Sequence, residues 1–190
     1  LVVDQGGLTG QLHVSPHRRF QRLTSEFNSH LAVHADQIGS SGTNFHAVIH
    51  AQPPYMTYLS HIARYQDETC PSRGRPRRPV AGALLRWQPE NIVQLPEGIG
   101  FTPFKLPGSA ELMDATVAEL REHRIVIWAK HGVMARSDVS VKRAADRIEY
   151  AETAAKYEHL NLTVGEVGEG LSVDEIRAIC AAFNLKQSIF

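Results

Sequence analysis

The sequence predicts an α/β domain built on a mixed sheet covered on both faces. Three observations carry this. Residues 124–129, RIVIWA, are a continuous apolar run of the kind found in strands buried on both faces. Segments of helical and strand character alternate along the chain. Short glycine-bearing turns, such as Gly6-Gly7 and Lys130-His131-Gly132, add hairpin-like connections to that alternation.

Each element follows from local signals. Residues 1–14 suggest a hairpin turning at Gly6-Gly7 or Thr9-Gly10, and residues 15–23 read as a connecting loop. A helix is expected from Ser25 to about Ile38, capped by Thr24 or Ser25 and stopped by Gly39-Ser40-Ser41-Gly42. A strand over 45–51 follows. Pro53-Pro54 suits the first turn of a helix running to about Tyr65. Residues 71–82, PSRGRPRRPVAG, shift to Arg, Pro and Gly and are expected to hold no regular structure. They read as a solvated loop or as an anion-binding one.

Residues 91–95 and 98–104 are expected as short strands around Pro96-Glu97-Gly98. Pro107-Gly108-Ser109 ends a loop and caps a helix to about Glu122. The apolar strand 124–129 then turns at Lys130-His131-Gly132 into a second strand beginning at Val133. Asp138 is expected to cap the longest helix, which reaches about Leu160. Its apolar stripe is Val141, Ala144, Ala145, Ile148, Ala151 and Ala155, and the alanines suggest close packing. Ser172-Val173-Asp174-Glu175 is a capping box that opens a last helix through Ala182.

The length, 190 residues, is that of one domain with ample chain to bury a core. The first residues read as mid-domain strands, so a single domain over 1–190 lacking its N-terminal part is expected. Twenty Lys and Arg balance twenty Asp and Glu, which argues against nucleic acid or an anionic membrane as a partner. No run approaches the roughly 18 apolar residues of a membrane span. Cys70 and Cys180 lie far apart without a Cys-x-x-Cys, as two free thiols of a cytoplasmic protein would.

Ten histidines are many for this length. His13, His17, His123 and His159 sit among polar or charged residues and are expected at the surface. His30, His34, His46 and His61 are open. His50 and His131 stand at apolar strand ends beside turn residues. Residues 50 and 52 point the same way along a strand, so His50 and Gln52 are placed to grip one metal ion. Gln52 is a weak neutral oxygen donor, whereas imidazole suits zinc and its neighbours. His131 reads as a ligand or as a histidine hydrogen-bonded in place. Thr24-Ser25-Glu26, at a helix N-terminus, reads as a phosphate seat with two hydroxyl donors, or as ordinary helix capping.

LTSEFNSH, FHAVIHAQPP, LPEGIG, PGS and WAKHGVMA, in this order and at these distances, resemble the class II aldolase/adducin family. The likeness covers nearly the whole chain from Leu8 and is strongest to the branch acting on rhamnulose 1-phosphate. It implies a three-layer α/β/α fold with a central mixed, mostly antiparallel sheet, and a homotetramer. It implies zinc or another divalent transition metal, held by a His-x-His strand and a later His-Gly turn. His50 and His131 match the first and last ligands, and Gln52 falls on the middle one. Glu26 matches the catalytic carboxylate, and Thr24 and Ser25 match positions that hold the substrate phosphate. Glu90 lies where that branch has a second functional carboxylate. The family's phosphate loop would lie upstream of Leu1.

The activity so implied is cleavage of L-rhamnulose 1-phosphate to dihydroxyacetone phosphate and L-lactaldehyde. Other sugar-phosphate aldolase, epimerase or dehydratase chemistry is the alternative, as is a non-catalytic, adducin-like assembly module.

Overall fold

The computed structural model describes residues 2–3, 10–11, 17, 23–66, 80–165 and 168–186. β1 (Val2–Val3) pairs antiparallel with β2 (Gly10–Gln11), Val2 opposite Gln11. That is the pairing of the expected hairpin, whose turn falls outside the described residues. The remaining elements run α1 (Phe27–Ser41), β3 (Ala47–Ala51), α2 (Pro54–Leu59), α3 (Ala63–Gln66), α4 (Val80–Leu85), α5 (Pro89–Gln94) and β4 (Gly100–Thr102). They continue with α6 (Ala110–Glu122), β5 (Ile125–Trp128), β6 (Gly132–Ser137), α7 (Val141–Thr163) and α8 (Val173–Ala182).

β3, β6, β5 and β4 form one sheet in that order. β6 is antiparallel to both β3 and β5, and β4 is parallel to β5. The sheet is therefore mixed and mostly antiparallel, as expected. Alternation along β5 splits the core in two. Ile125 and Ile127 pack with Val133 and Ala135 of β6 against α2, α4, α5, α7 and α8. Val126 and Trp128 pack with Met134 against Val33 of α1 and Leu112 and Leu120 of α6. Helices thus cover both faces, in three layers.

Several boundaries differ from the expectation. α1 starts at Phe27 with Glu26 as its N-cap residue, not Thr24 or Ser25. A turn comes first: the Phe27 N–H donates to the Thr24 carbonyl and the Glu26 N–H to Thr24 Oγ1, both at 3.3 Å. α1 also runs through Gly39 to Ser41 and stops at Gly42, whose φ of 67° a glycine adopts without strain. β3 begins at Ala47 rather than Phe45. The expected helix 54–65 breaks after Leu59, where bonds from His61 to Tyr58 and from Ile62 to Leu59 tighten the turn.

Residues 80–82 are helical, part of α4, because Ala83, Leu84 and Leu85 bury against the α7 face of the core. Residues 67–79 lie outside the described residues, and so do the rest of the Arg/Pro-rich segment and Cys70. Residues 91–95 are not a strand. α5 opens with Pro89 in its first turn and buries Asn91 and Ile92. α7 is capped by Ser140, which accepts from Arg143 N–H, while Asp138 pairs instead with Arg124 at 3.3 Å. Its buried stripe is Ala144, Ile148, Ala151, Ala154 and Ala155; Ala145 is exposed and Val141 is 59% exposed. The Ser172–Glu175 capping box forms as expected.

His159 is partly buried between Tyr55 and Tyr58, ring centroids 5.3 and 5.2 Å away, rather than free at the surface. His123 is also partly buried, its Nδ1 3.1 Å from the Glu119 carbonyl. Cys180 is a free thiol. Among the described residues no helix is long and apolar enough to cross a membrane.

Candidate active site

One open pocket of about 340 Å³ is lined by Thr24, Ser25, Glu26, His50, Ala51, Gln52 and His131. Three separate elements bring them there: the entry to α1, the end of β3 and the β5–β6 turn. The six residues expected from the sequence are all among them. Glu90 is not; it is exposed in the first turn of α5.

Glu26 is 2% exposed. Its carboxylate accepts the Gly108 N–H at Oε2 (3.2 Å) and the Ser25 hydroxyl at Oε1 (3.1 Å). Gly108 has φ 73°, and a Cβ there would lie 2.9 Å from the Ser25 carbonyl oxygen. Glycine lets this loop approach the α1 entry closely enough to bond the carboxylate. Asn28 ties the same loop down, donating from Nδ2 to the Gly108 carbonyl at 3.0 Å. The α1 N-terminus has no side-chain cap on its backbone N–H groups. Thr24 and Ser25, just before it, are exposed and line the pocket.

His50 lies on the α1/α6 face of the sheet, stacked on Trp128 with centroids 4.7 Å apart and planes at 28°. Its Nδ1 is 2.9 Å from the Val133 carbonyl. A carbonyl only accepts, so Nδ1 carries the proton and Nε2 keeps its lone pair. Burial lowers the His50 pKa; the Val133 bond partly opposes this, His131 adds to the lowering and Glu26 opposes it. The imidazole is held neutral, the state that ligates metals.

His131 packs against His50 with centroids 5.1 Å apart and planes at 67°, and against Trp128 at 5.1 Å. Its Nε2 is 4.0 Å from Glu26 Oε1. Its Nδ1 is buried with no hydrogen-bond partner. Lys130, just before it, has φ 64°. Gly132, just after, sits where a Cβ would lie 2.5 Å from the Ala51 carbonyl oxygen and 3.1 Å from Gln52 Cγ.

The donor set suits a divalent cation through its imidazoles: one nitrogen with its lone pair free, one buried and unpartnered. Among the described residues no group of three or more His, Cys, Asp or Glu side chains is disposed to hold a metal. Gln52 is exposed at the pocket rim.

The parts played by Trp128, Gly108 and Asn28 escaped sequence reasoning, and His30 was left open. His30 had a signal: it is four residues after Glu26, hence on the same helix face. Burial and the neighbouring His50 and His34 lower its pKa, and Glu26 opposes them.

Residues 2–159 match the family described as Class II Aldolase and Adducin N-terminal domain, and the chain belongs to that family. It is 33% identical over 164 residues to the rhamnulose-1-phosphate aldolase of Bacteroides thetaiotaomicron, covering 85% of this chain and 56% of that protein. The rhamnulose-1-phosphate aldolase of Klebsiella pneumoniae is 24% identical over 163 residues, covering 86% and 55%. The chain thus spans little more than half the length of these relatives.

Among solved structures, a sugar-phosphate aldolase from Thermotoga maritima superposes with a TM-score of 0.63 at 29% identity, covering 78% of this chain and 58% of that one. An L-fuculose 1-phosphate aldolase superposes at 0.59 and 22% identity, covering 87% and 66%.

Proposed function

We propose that this chain carries the chemistry of a metal-dependent aldolase, a lyase that splits L-rhamnulose 1-phosphate into dihydroxyacetone phosphate and L-lactaldehyde. The observation that carries the reading is one pocket that brings together a buried carboxylate, two facing imidazoles and the exposed Thr24 and Ser25 at the entry to α1. The 33% identity to a rhamnulose-1-phosphate aldolase favours that substrate.

In this reading His50, His131 and the Gln52 amide oxygen hold zinc or another divalent ion. Bound there, the ion supplies Lewis-acid stabilisation for the charge that develops as the carbon–carbon bond breaks. Glu26 accepts the proton of the hydroxyl that becomes the aldehyde and returns a proton to carbon. The Gly108 N–H keeps its carboxylate oriented. Thr24, Ser25 and the α1 N-terminus take the phosphate, so binding energy far from the breaking bond positions the substrate. A homotetramer in the cytoplasm, with neither nucleic acid nor membrane as a partner, belongs to the same proposal.

Gln52, in place of an imidazole, favours a second reading: a non-catalytic, adducin-like assembly module. Metal content and turnover separate the two. The active reading expects stoichiometric zinc, loss of stability in chelator, and release of dihydroxyacetone phosphate in a coupled assay. L-Rhamnulose 1-phosphate should outrun L-fuculose 1-phosphate. Less than about a tenth of an equivalent of divalent metal, with no effect of chelator on stability, retires the metal site, since binding couples to folding. Equal silence of the metal-loaded protein with both sugars retires the aldolase.

A further inference from the structure

We infer that Ser60 is a positioning residue for His131, acting through the backbone of Lys130. Its bearing on metal binding rests on the reading above; its bearing on the His131 ring does not.

Ser60 lies outside the pocket and is fully buried at the C-terminal end of α2. Its hydroxyl uses both of its capacities. It donates to the Thr57 carbonyl at 2.6 Å and accepts the Lys130 N–H at 2.8 Å, across 70 positions of sequence. Lys130 has φ 64°, a left-handed conformation uncommon for a lysine. Such a residue persists where its surroundings over-determine it. Two backbone bonds frame the turn, from Ala129 N–H to the Thr102 carbonyl and from His131 N–H to the Trp128 carbonyl, each 3.0 Å. Lys130 N–H is the donor between them, and Ser60 receives it.

The connection runs further. α2 starts two residues after Gln52, and the Glu152 carboxylate fixes that start by accepting the Tyr55 and Met56 N–H groups at 2.8 and 2.9 Å. At its far end Gln66 Nε2 donates to the Ser60 carbonyl at 2.6 Å. One short helix therefore joins the strand carrying His50, and Gln52 just past its end, to the turn carrying His131. Ser60 is its contact with that turn. Without the hydroxyl, the Lys130 N–H loses its partner and the left-handed turn loses a restraint. The His131 ring is then free to leave its place against His50 and Trp128.

The test uses the whole chain and two readouts. The imidazole NMR signals of the metal-free protein report His131 directly, with His123 as the internal control. Cobalt(II) titration, followed by visible absorption at a temperature where every variant is folded, reports the site. In S60A the His131 signals should move, those of His123 should stay, and cobalt should bind about 10- to 100-fold more weakly. S60T, which keeps the hydroxyl, should restore both.

Unmoved His131 signals in S60A overturn the proposal. So does equal cobalt affinity in wild type and S60A, or a failure of S60T to restore the signals. If S60A does not fold, S60C replaces it, since a thiol of similar volume donates and accepts weakly. A wild-type chain that takes no cobalt, with His131 signals displaced in S60A, sinks the metal reading and upholds the positioning role.

Discussion

Gly132 and Ala51 lie so close that no side chain fits between them: a Cβ on Gly132 would be 2.5 Å from the Ala51 carbonyl oxygen. The same Cβ would meet Gln52 Cγ at 3.1 Å and His50 Cε1 at 3.3 Å. The turn carrying His131 therefore packs directly on the strand end carrying the other two candidate ligands. Gly132→Ala should cost about 1–3 kcal/mol, as overpacking does, because backbone rather than a flexible side-chain tip has to yield. It should weaken zinc binding as well. Urea unfolding and metal titration check the two effects separately.

Glu26→Gln should keep the metal and lose turnover by about 10²- to 10⁴-fold, the usual worth of a general acid–base group. The amide preserves shape and can still accept the Gly108 N–H, so the fold around α1 should stand. Loss of zinc together with turnover would instead make Glu26 a ligand.

Gln52→His should raise zinc affinity by at least about tenfold, since an imidazole replaces a neutral oxygen donor on the same side of the strand. Competition with a chromophoric chelator measures this. Unchanged affinity would place residue 52 outside the coordination shell.

Acid should loosen the contact between α1 and the segment leading into β3. His34 and His46 approach with their Nδ1 atoms 3.0 Å apart, so one donates and the other accepts. Burial is the main cause that lowers the His46 pKa to about 4, helped by His34, Arg136 and Arg124 against Asp138. Burial likewise lowers His34. Folded pKa values below the ordinary 6.5 mean that the unfolded chain binds protons more readily. Stability is then complete above about pH 6.5 and falls as the pH drops toward 4. The urea midpoint should decline across that window, and His46→Leu should remove the largest part of the slope.

Much of the candidate site was legible in the sequence because its signals are local. Thr24-Ser25-Glu26 marks the entry to α1, His50 stands near the end of β3 with Gln52 just past it, and His131-Gly132 follows an apolar run that is buried throughout as β5. Caps read from neighbouring residues also formed, Ser109 for α6 and Ser172 with Glu175 for α8. The misses are places where packing outweighed local preference. Residues 91–95 carry β-branched Ile and Val, yet α5 buries Ile92 against α7 and α8, and Pro89 in its first turn was the overlooked cue. The α7 stripe shifted from Val141 and Ala145 to Ala154 because the sheet, not the helix alone, decides which side is covered.

By itself the sequence determined the layered α/β class and set a carboxylate and two histidines at helix and strand ends, since periodicity and capping act within a few residues. Local signals do not carry the convergence of β3, the α1 entry and the β5–β6 turn on one pocket, which the family resemblance alone implied. The convergence depends on β6 lying antiparallel between β3 and β5, which sets Ala51 opposite Val133 and Trp128 opposite Gly132. Nor do local signals reveal the supports: Trp128 beneath His50, Gly108 on the Glu26 carboxylate, Ser60 under the Lys130 turn. Those contacts join residues about 70 to 80 positions apart. Only burial of both faces of the sheet brings such distant pairs together.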